Sequence, residues 1–162
     1  MRIGQGFDAH RLVPGRRLVL GGIAIPSERG LEGHSDGDVL LHAVASALLG
    51  ALGEGDLGQH FPSSDPGLAG ISSRVIVERV AALVRAAGLA VGNVDATLVA
   101  QAPRLAPHLG KIRAAVADAL GVDSSRVNVK ATSTDGLGAI GRGEGIAALA
   151  VALLVADGRE PR

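Results

Sequence analysis

Residues 145–156, GIAALAVALLVA, constrain the fold more than any other stretch of this chain. Hydrophobicity alone leaves the segment ambiguous, because no polar side chain marks a helical or a strand period. Side-chain size resolves it. Leu149, Val151, Leu153 and Val155 share one parity, and Ala148, Ala150 and Ala152 share the other. A bulky face alternating with a thin face at period two predicts a β-strand between two packed layers. The apolar run over 146–156 is also well short of the ~20 residues that a membrane-spanning helix needs.

The segments around it complete the layers. Strands are expected over 2–10, 17–25, 93–100 and 126–132, with "VPGR" at 13–16 as a turn between the first two. Helices are expected over 38–52, 72–87 and 107–120. Ser35, Asp36 and Asp38 are candidate caps of the first; Ser72 or Ser73 opens the second and Gly88 closes it. Pro107 and Gly121 bracket the third. This order predicts an α+β fold: a single-domain two-layer sandwich over 1–162, with a mixed β-sheet and helices packed on one face.

Composition narrows the function. The chain has 162 residues, enough for one domain with a real core. Its 16 Lys and Arg balance 16 Asp and Glu, so there is no electrostatic footprint for nucleic acid or an anionic membrane. Phe7 and Phe61 are the only aromatics, and a bound base would find little to stack on. The absence of cysteine excludes disulfides and thiolate metal sites, leaving His, Asp and Glu as ligands. It also fits a reducing compartment. Arg2 and the strand-like residues after it do not read as a secretory or transit peptide, so a cytoplasmic location is expected.

Chemistry concentrates in the loops and beside them. "GFDAH" at 6–10 puts Asp8 and His10 at i and i+2 of the first strand, hence on one face. Two such side chains form a surface ion pair or hold a metal. His42, in an otherwise apolar helix, is the best third ligand, although Asp38 one turn earlier could instead satisfy it. Asp, His and His match the three-ligand, one-open-position pattern of catalytic zinc. Spacing alone leaves both readings open. Asp38 is then a cap or a carboxylate behind the ligands.

Six motifs then occur in order along nearly the whole chain: "GFDAH", "HSDGDVLLH", "GDLGQHFPSSDP", "AQAPRL", "NVKATSTD" and "GRGEGIA". Together they closely resemble the 2-C-methyl-D-erythritol 2,4-cyclodiphosphate synthase family. The resemblance implies a lyase of the non-mevalonate isoprenoid pathway. It would cyclise 4-diphosphocytidyl-2-C-methyl-D-erythritol 2-phosphate and release CMP. It implies a divalent metal, zinc, on Asp8, His10 and His42, and a magnesium or manganese ion with the substrate diphosphate near Asp135. His34 and Ser133 would stabilise the transition state, and Ser35 would join His34 in orienting phosphates.

The family's sugar-contacting segment falls on Asp56, Leu57 and Gly58, followed by a lid over Phe61, Pro62, Ser63, Ser64 and Asp65. Its cytidine pocket falls on Ala100, Gln101, Ala102, Pro103, Arg104, Leu105 and Ala106 together with Ala131, Thr132 and Ser133, and Thr134 is a further expected substrate contact. Family members are homotrimers with active sites between subunits, and the thin alanine face of 145–156 would suit that interface. Arg142 would face the threefold axis and could bind an isoprenoid diphosphate. On residues alone, Asp135 is also plain turn chemistry before Gly136, and Arg142 a surface arginine beside Glu144.

This chain departs from the family pattern at several positions. Asp135 replaces Glu, Ser133 replaces Thr, Arg104 stands for Lys, and Ser63 for Asp. Ala139 replaces the Phe beside the axial cavity, which removes its aromatic wall. None touches the three-ligand set. Two other functions are considered: a trimeric ligand-binding module without catalysis, and a metal-dependent phosphohydrolase.

Overall fold

Gly145–Ala156 is the central strand of a five-stranded mixed sheet, and everything else is arranged around it. The computed structural model describes residues 1–158. In chain order the elements are β1 (Arg2–Pro14), β2 (Leu18–Leu20), β3 (Ile23–Ile25), β4 (Arg29–Leu31), α1 (Val39–Leu52) and α2 (Leu57–His60). They continue with α3 (Ser73–Ala86), β5 (Leu89–Val99), α4 (Leu109–Leu120), β6 (Val127–Thr132), α5 (Gly138–Gly141) and β7 (Gly145–Ala156). The sheet runs β4-β1-β7-β5-β6; β7 is antiparallel to both neighbours, and β5 pairs with β6 in parallel.

The two faces of β7 meet different surroundings. Ala148, Ala150 and Ala152 are buried on the side of α1, which lies across β1 and β7. On β1, Gly4 and Gly6 are the cross-strand partners of Ala152 and Ala150. A methyl group on Gly4 would come within 2.0 Å of the Ala47 carbonyl oxygen, and one on Gly6 within 1.9 Å of that of Ala43. Small side chains thus let α1 settle onto the sheet, while α3 packs beside α1 and against β5. This corrects the expectation that the thin face serves an interface: the thin face is filled by the chain's own helix.

The bulky face is the open one. Within the chain Leu149 is 38% exposed and Val151 46%, and beside them on β1 Ile3 is 72% and Phe7 61% exposed. The second layer expected over β7 is therefore not supplied by these elements. The helices share one face, as the α+β sandwich requires, and a single apolar core fills the space between them and the sheet.

Other boundaries shift for local reasons. Segment 17–25 is a hairpin, β2 against β3, because Gly21 and Gly22 adopt φ of 61° and 77° and turn the chain between the strands. β1 runs on to Pro14 and pairs with the short β4. β5 begins at Leu89 and crosses a register shift between Val91 and Asn93. α2 and α5 are single turns in stretches expected to be loops.

Candidate functional site

Period two carries Asp8 and His10 onto the same face as Gly4 and Gly6, so they point at the first turns of α1, where His42 lies. The three side chains converge. Asp8 Oδ2 is 2.8 Å from His10 Nε2 and 2.9 Å from His42 Nδ1, and the two imidazole nitrogens are 3.1 Å apart. Among the described residues this is the one cluster of three potential ligands. Tetrahedral coordination at the usual zinc–ligand lengths of about 2.0–2.2 Å puts ligand atoms about 3.3 Å apart. The observed triangle needs to open by only a few tenths of an ångström to accept a divalent ion.

Charge in the cluster is already polarised. Burial works against an ionised Asp8, but hydrogen bonds and charge from His10 and His42 outweigh it and hold its pKa well below the usual carboxylate range. The Asp8 hydrogen bond raises the pKa of His10 despite desolvation, and the Glu32 backbone adds to that. An ion entering here therefore finds an anionic carboxylate and competes with the proton that Asp8 favours on His10.

Asp38 is a cap and does not hold the His42 ring. Its carboxylate accepts N–H groups from Leu40 and Leu41 at the start of α1 and from Gly21 and Gly22 in the β2–β3 turn. Complete burial pushes its pKa up to about 6, while those N–H groups favour the ionised form. The outer edge of His42 instead meets Ser73 and Ser35. Ser73 enters the site as a partner of His42 and Asp36 as the partner of Ser73, roles their helix-capping positions in the sequence did not signal.

A cavity of about 170 Å³ opens beside the cluster, lined by His10, His42, His34, Ser35, Leu57, Phe61 and Ser63. Leu68, Ile71 and Ile76 supply the apolar wall that sequence reasoning missed. Their signal was only their place after the expected lid. Five residues of that segment are not among its lining. The Asp56 carboxylate caps α2 through Gln59, Asp65 accepts from Gly67, and Gly58, Pro62 and Ser64 lie in the same chain segment.

A second cavity, about 280 Å³, is formed by Ala100, Gln101, Pro103, Arg104, Leu105 and Ala106 against Ala131, Thr132 and Ser133. Ala102 joins Pro103 through a cis peptide bond in this loop. Beyond β6 the chain turns at Asp135, whose φ of 51° is left-handed; the Ser133 hydroxyl donates to its carboxylate at 3.0 Å. Thr134 closes the same turn onto the Leu137 carbonyl, and Gln101 accepts from Gly136 N–H.

Asp8, Ala148, Leu98 and Ala131 form one cross-strand row. The two cavities therefore lie at one end of the sheet but three strand spacings apart, roughly 14 Å. Arg142 donates to Glu144 at 2.6 Å and, with Arg11 and Arg29, lines a separate cavity of about 360 Å³; Ala139 is exposed on α5.

An α+β sandwich carrying an Asp-His-His cluster beside a cavity walled by apolar side chains defines the chain as a candidate metal-dependent enzyme. The YgbB family description matches residues 1–155, and the chain belongs to that family. The 2-C-methyl-D-erythritol 2,4-cyclodiphosphate synthase of Thiobacillus denitrificans is 59% identical over 154 residues, covering 95% of this chain and 96% of that protein. A solved structure of a 2C-methyl-D-erythritol-2,4-cyclodiphosphate synthase in a CDP-bound form superposes with a TM-score of 0.88 at 36% identity, covering 95% of this chain and all of that one. The bifunctional IspDF of Campylobacter jejuni gives a TM-score of 0.92 at 38% identity; 98% of this chain matches 43% of that longer one.

Proposed function

We propose that this chain converts 4-diphosphocytidyl-2-C-methyl-D-erythritol 2-phosphate into 2-C-methyl-D-erythritol 2,4-cyclodiphosphate and CMP, acting as one catalytic domain in the cytoplasm. The observation that carries the reading is the Asp8–His10–His42 triangle opening onto a cavity, in a chain 59% identical to a named synthase. No helix among the described residues is long and apolar enough to cross a membrane.

The reaction asks more for positioning than for proton transfer. An oxygen of the 2-phosphate attacks the β-phosphorus, the bond to the CMP oxygen breaks, and the nucleophile is already an anion. Asp8, His10 and His42 would hold zinc, and Asp135 would hold magnesium or manganese together with the substrate diphosphate. Such ions neutralise crowded phosphate charge and offer open positions to phosphoryl oxygens. His34 at the cavity rim and Ser133 at the end of β6 then orient hydrogen-bond donors toward the developing charge. The loop from Ala100 to Ala106 reads cytosine largely through main-chain groups, since neither Phe7 nor Phe61 lines that cavity.

A second copy of the chain completes the site in this proposal. The metal cluster and the nucleotide cavity are too far apart within one chain for one diphosphate to touch both. The open face of Ile3, Phe7, Leu149 and Val151 is the apolar surface on which copies would assemble, into the homotrimer implied by the family resemblance.

The test is product analysis with the authentic substrate by phosphorus NMR, alongside metal content. Cyclic diphosphate and CMP in equal amounts are expected. Release of inorganic phosphate would replace the reading with a phosphohydrolase, and binding without turnover with a ligand-binding module.

A further inference from the structure

The edge of the His42 ring that faces away from the cluster has partners of its own. Nε2 lies 2.9 Å from Ser73 Oγ and 3.1 Å from Ser35 Oγ. Ser73, the first residue of α3, is fully buried. Its hydroxyl donates a short hydrogen bond to one oxygen of Asp36, and its backbone N–H donates to the other at 3.0 Å. Ser35 Oγ already accepts the Gly37 N–H at 3.1 Å and stands 3.4 Å from Ser73 Oγ.

Counting protons decides what these contacts do. An ionised carboxylate only accepts, so the single Ser73 hydroxyl proton is committed to Asp36. Toward His42, Ser73 then offers lone pairs, one filled by the Ser35 hydroxyl and the other by a hydrogen on Nε2. The other ring nitrogen, Nδ1, faces Asp8 Oδ2 and His10 Nε2. Once an entering ion displaces the hydrogen that Asp8 accepts there, that nitrogen has a lone pair to offer, the form in which histidine ligates a metal.

We propose that Asp36 and Ser73 are positioning residues that lock His42 in its Nε2–H tautomer and so hold Nδ1 as an electron-pair donor to a divalent cation shared with Asp8 and His10. The inference rests on the metal reading of the cluster above and deepens it. It ties the ligand's electronic state to where α3 begins, because Asp36 grips both the backbone and the side chain of Ser73. Without the Ser73 hydroxyl, His42 can place its hydrogen on Nδ1, toward Asp8, where it competes with the ion.

The experiment uses the full chain with zinc alone as the probe. Zinc affinity is measured by competition with a chromophoric chelator for the unmodified chain and for Ser73→Ala. Nitrogen-15 NMR of the His42 ring is recorded on the unmodified, zinc-loaded protein. One zinc per unmodified chain is expected, with an affinity loss of about 10–100-fold in Ser73→Ala and a protonated Nε2. Equal affinities in the two proteins overturn the inference and leave the metal reading intact. So does a His42 that ligates through Nε2 or carries its proton on Nδ1, and this spectrum decides even if Ser73→Ala does not fold. An unmodified chain that takes up no zinc overturns both.

Discussion

Replacing Gly6 with alanine puts the coupling between packing and the metal cluster to a quantitative test. Gly6 has ordinary strand geometry, so alanine is conformationally acceptable there and would on backbone entropy alone stabilise the fold by roughly 0.5–1 kcal/mol. Space reverses the sign. The added methyl would stand 1.9 Å from the Ala43 carbonyl oxygen and 2.7 Å from the Ala47 nitrogen, both backbone atoms of α1. Reaching the 3.4 Å of an ordinary contact requires α1 and β1 to separate by about 1.5 Å.

Overpacking of this kind costs about 1–3 kcal/mol, which exceeds the entropic gain. His42 neighbours Ala43 on the moving helix, while Asp8 stays on the strand, two residues from the substitution. Metal sites tolerate errors of only about 0.2 Å in ligand distance, so zinc affinity should fall by about 100-fold or more. Denaturant unfolding gives the stability and chelator competition the affinity. Gly50→Ala is the matched control, since its methyl meets nothing nearer than 3.6 Å; it should stabilise the exposed helical position by up to about 1 kcal/mol. A Gly6→Ala protein with unchanged stability and unchanged zinc affinity would refute the reasoning.

Four other outcomes are expected. His42→Ala should lose both turnover and tightly bound zinc, as read by metal content; zinc retained at one per chain would remove His42 from the ligand set. Zinc affinity should fall with acid from a point above pH 6.5, because His10 is raised above that ordinary value and its proton must leave. The same pairing adds stability to the metal-free protein below pH 6.5 that is lost as pH rises through the raised value, while Asp8, being lowered, contributes stability that is full above pH 3.8 and is lost progressively as pH falls below it. A chelator titration across neutral pH that bends at or below 6.5 would contradict this. Asp135→Asn should raise the magnesium concentration needed for half-maximal CMP release, and an unchanged titration would leave Asp135 a turn residue. Phe7→Asp, on the open face, should give monomers in sedimentation that lose turnover yet still bind zinc; an active assembled variant would refute the shared site.

Much of the cluster was legible in sequence because alternation is a local property. Asp8 and His10 stand out as same-face polar residues in a strand, and His42 as the one imidazole in an apolar helix. Size alternation likewise identified β7 as a strand. It could not say which face α1 would take, because that depends on Gly4 and Gly6 lying opposite Ala152 and Ala150, a register known only once β1 pairs with β7. The Gly21–Gly22 turn was visible as a dipeptide, yet the flanking apolar residues read as one strand. The chain from His42 through Ser73 to Asp36 was unreadable, since their meeting depends on how α3 packs against α1. For His34, Ser133 and Asp135, residue chemistry alone favoured loop or turn roles as strongly as a site, and only the run of motifs across the chain suggested more.

The carboxylate of Asp38 fastens two pieces of backbone that are distant in sequence. It caps α1 and at the same time receives both amides of the glycine turn between β2 and β3. That hairpin and the helix start therefore behave as a riveted joint, and loosening either loosens the other. A substitution at Gly21 or Gly22 is thus poised to disturb His42 through one buried anion, although neither glycine lines the metal cavity.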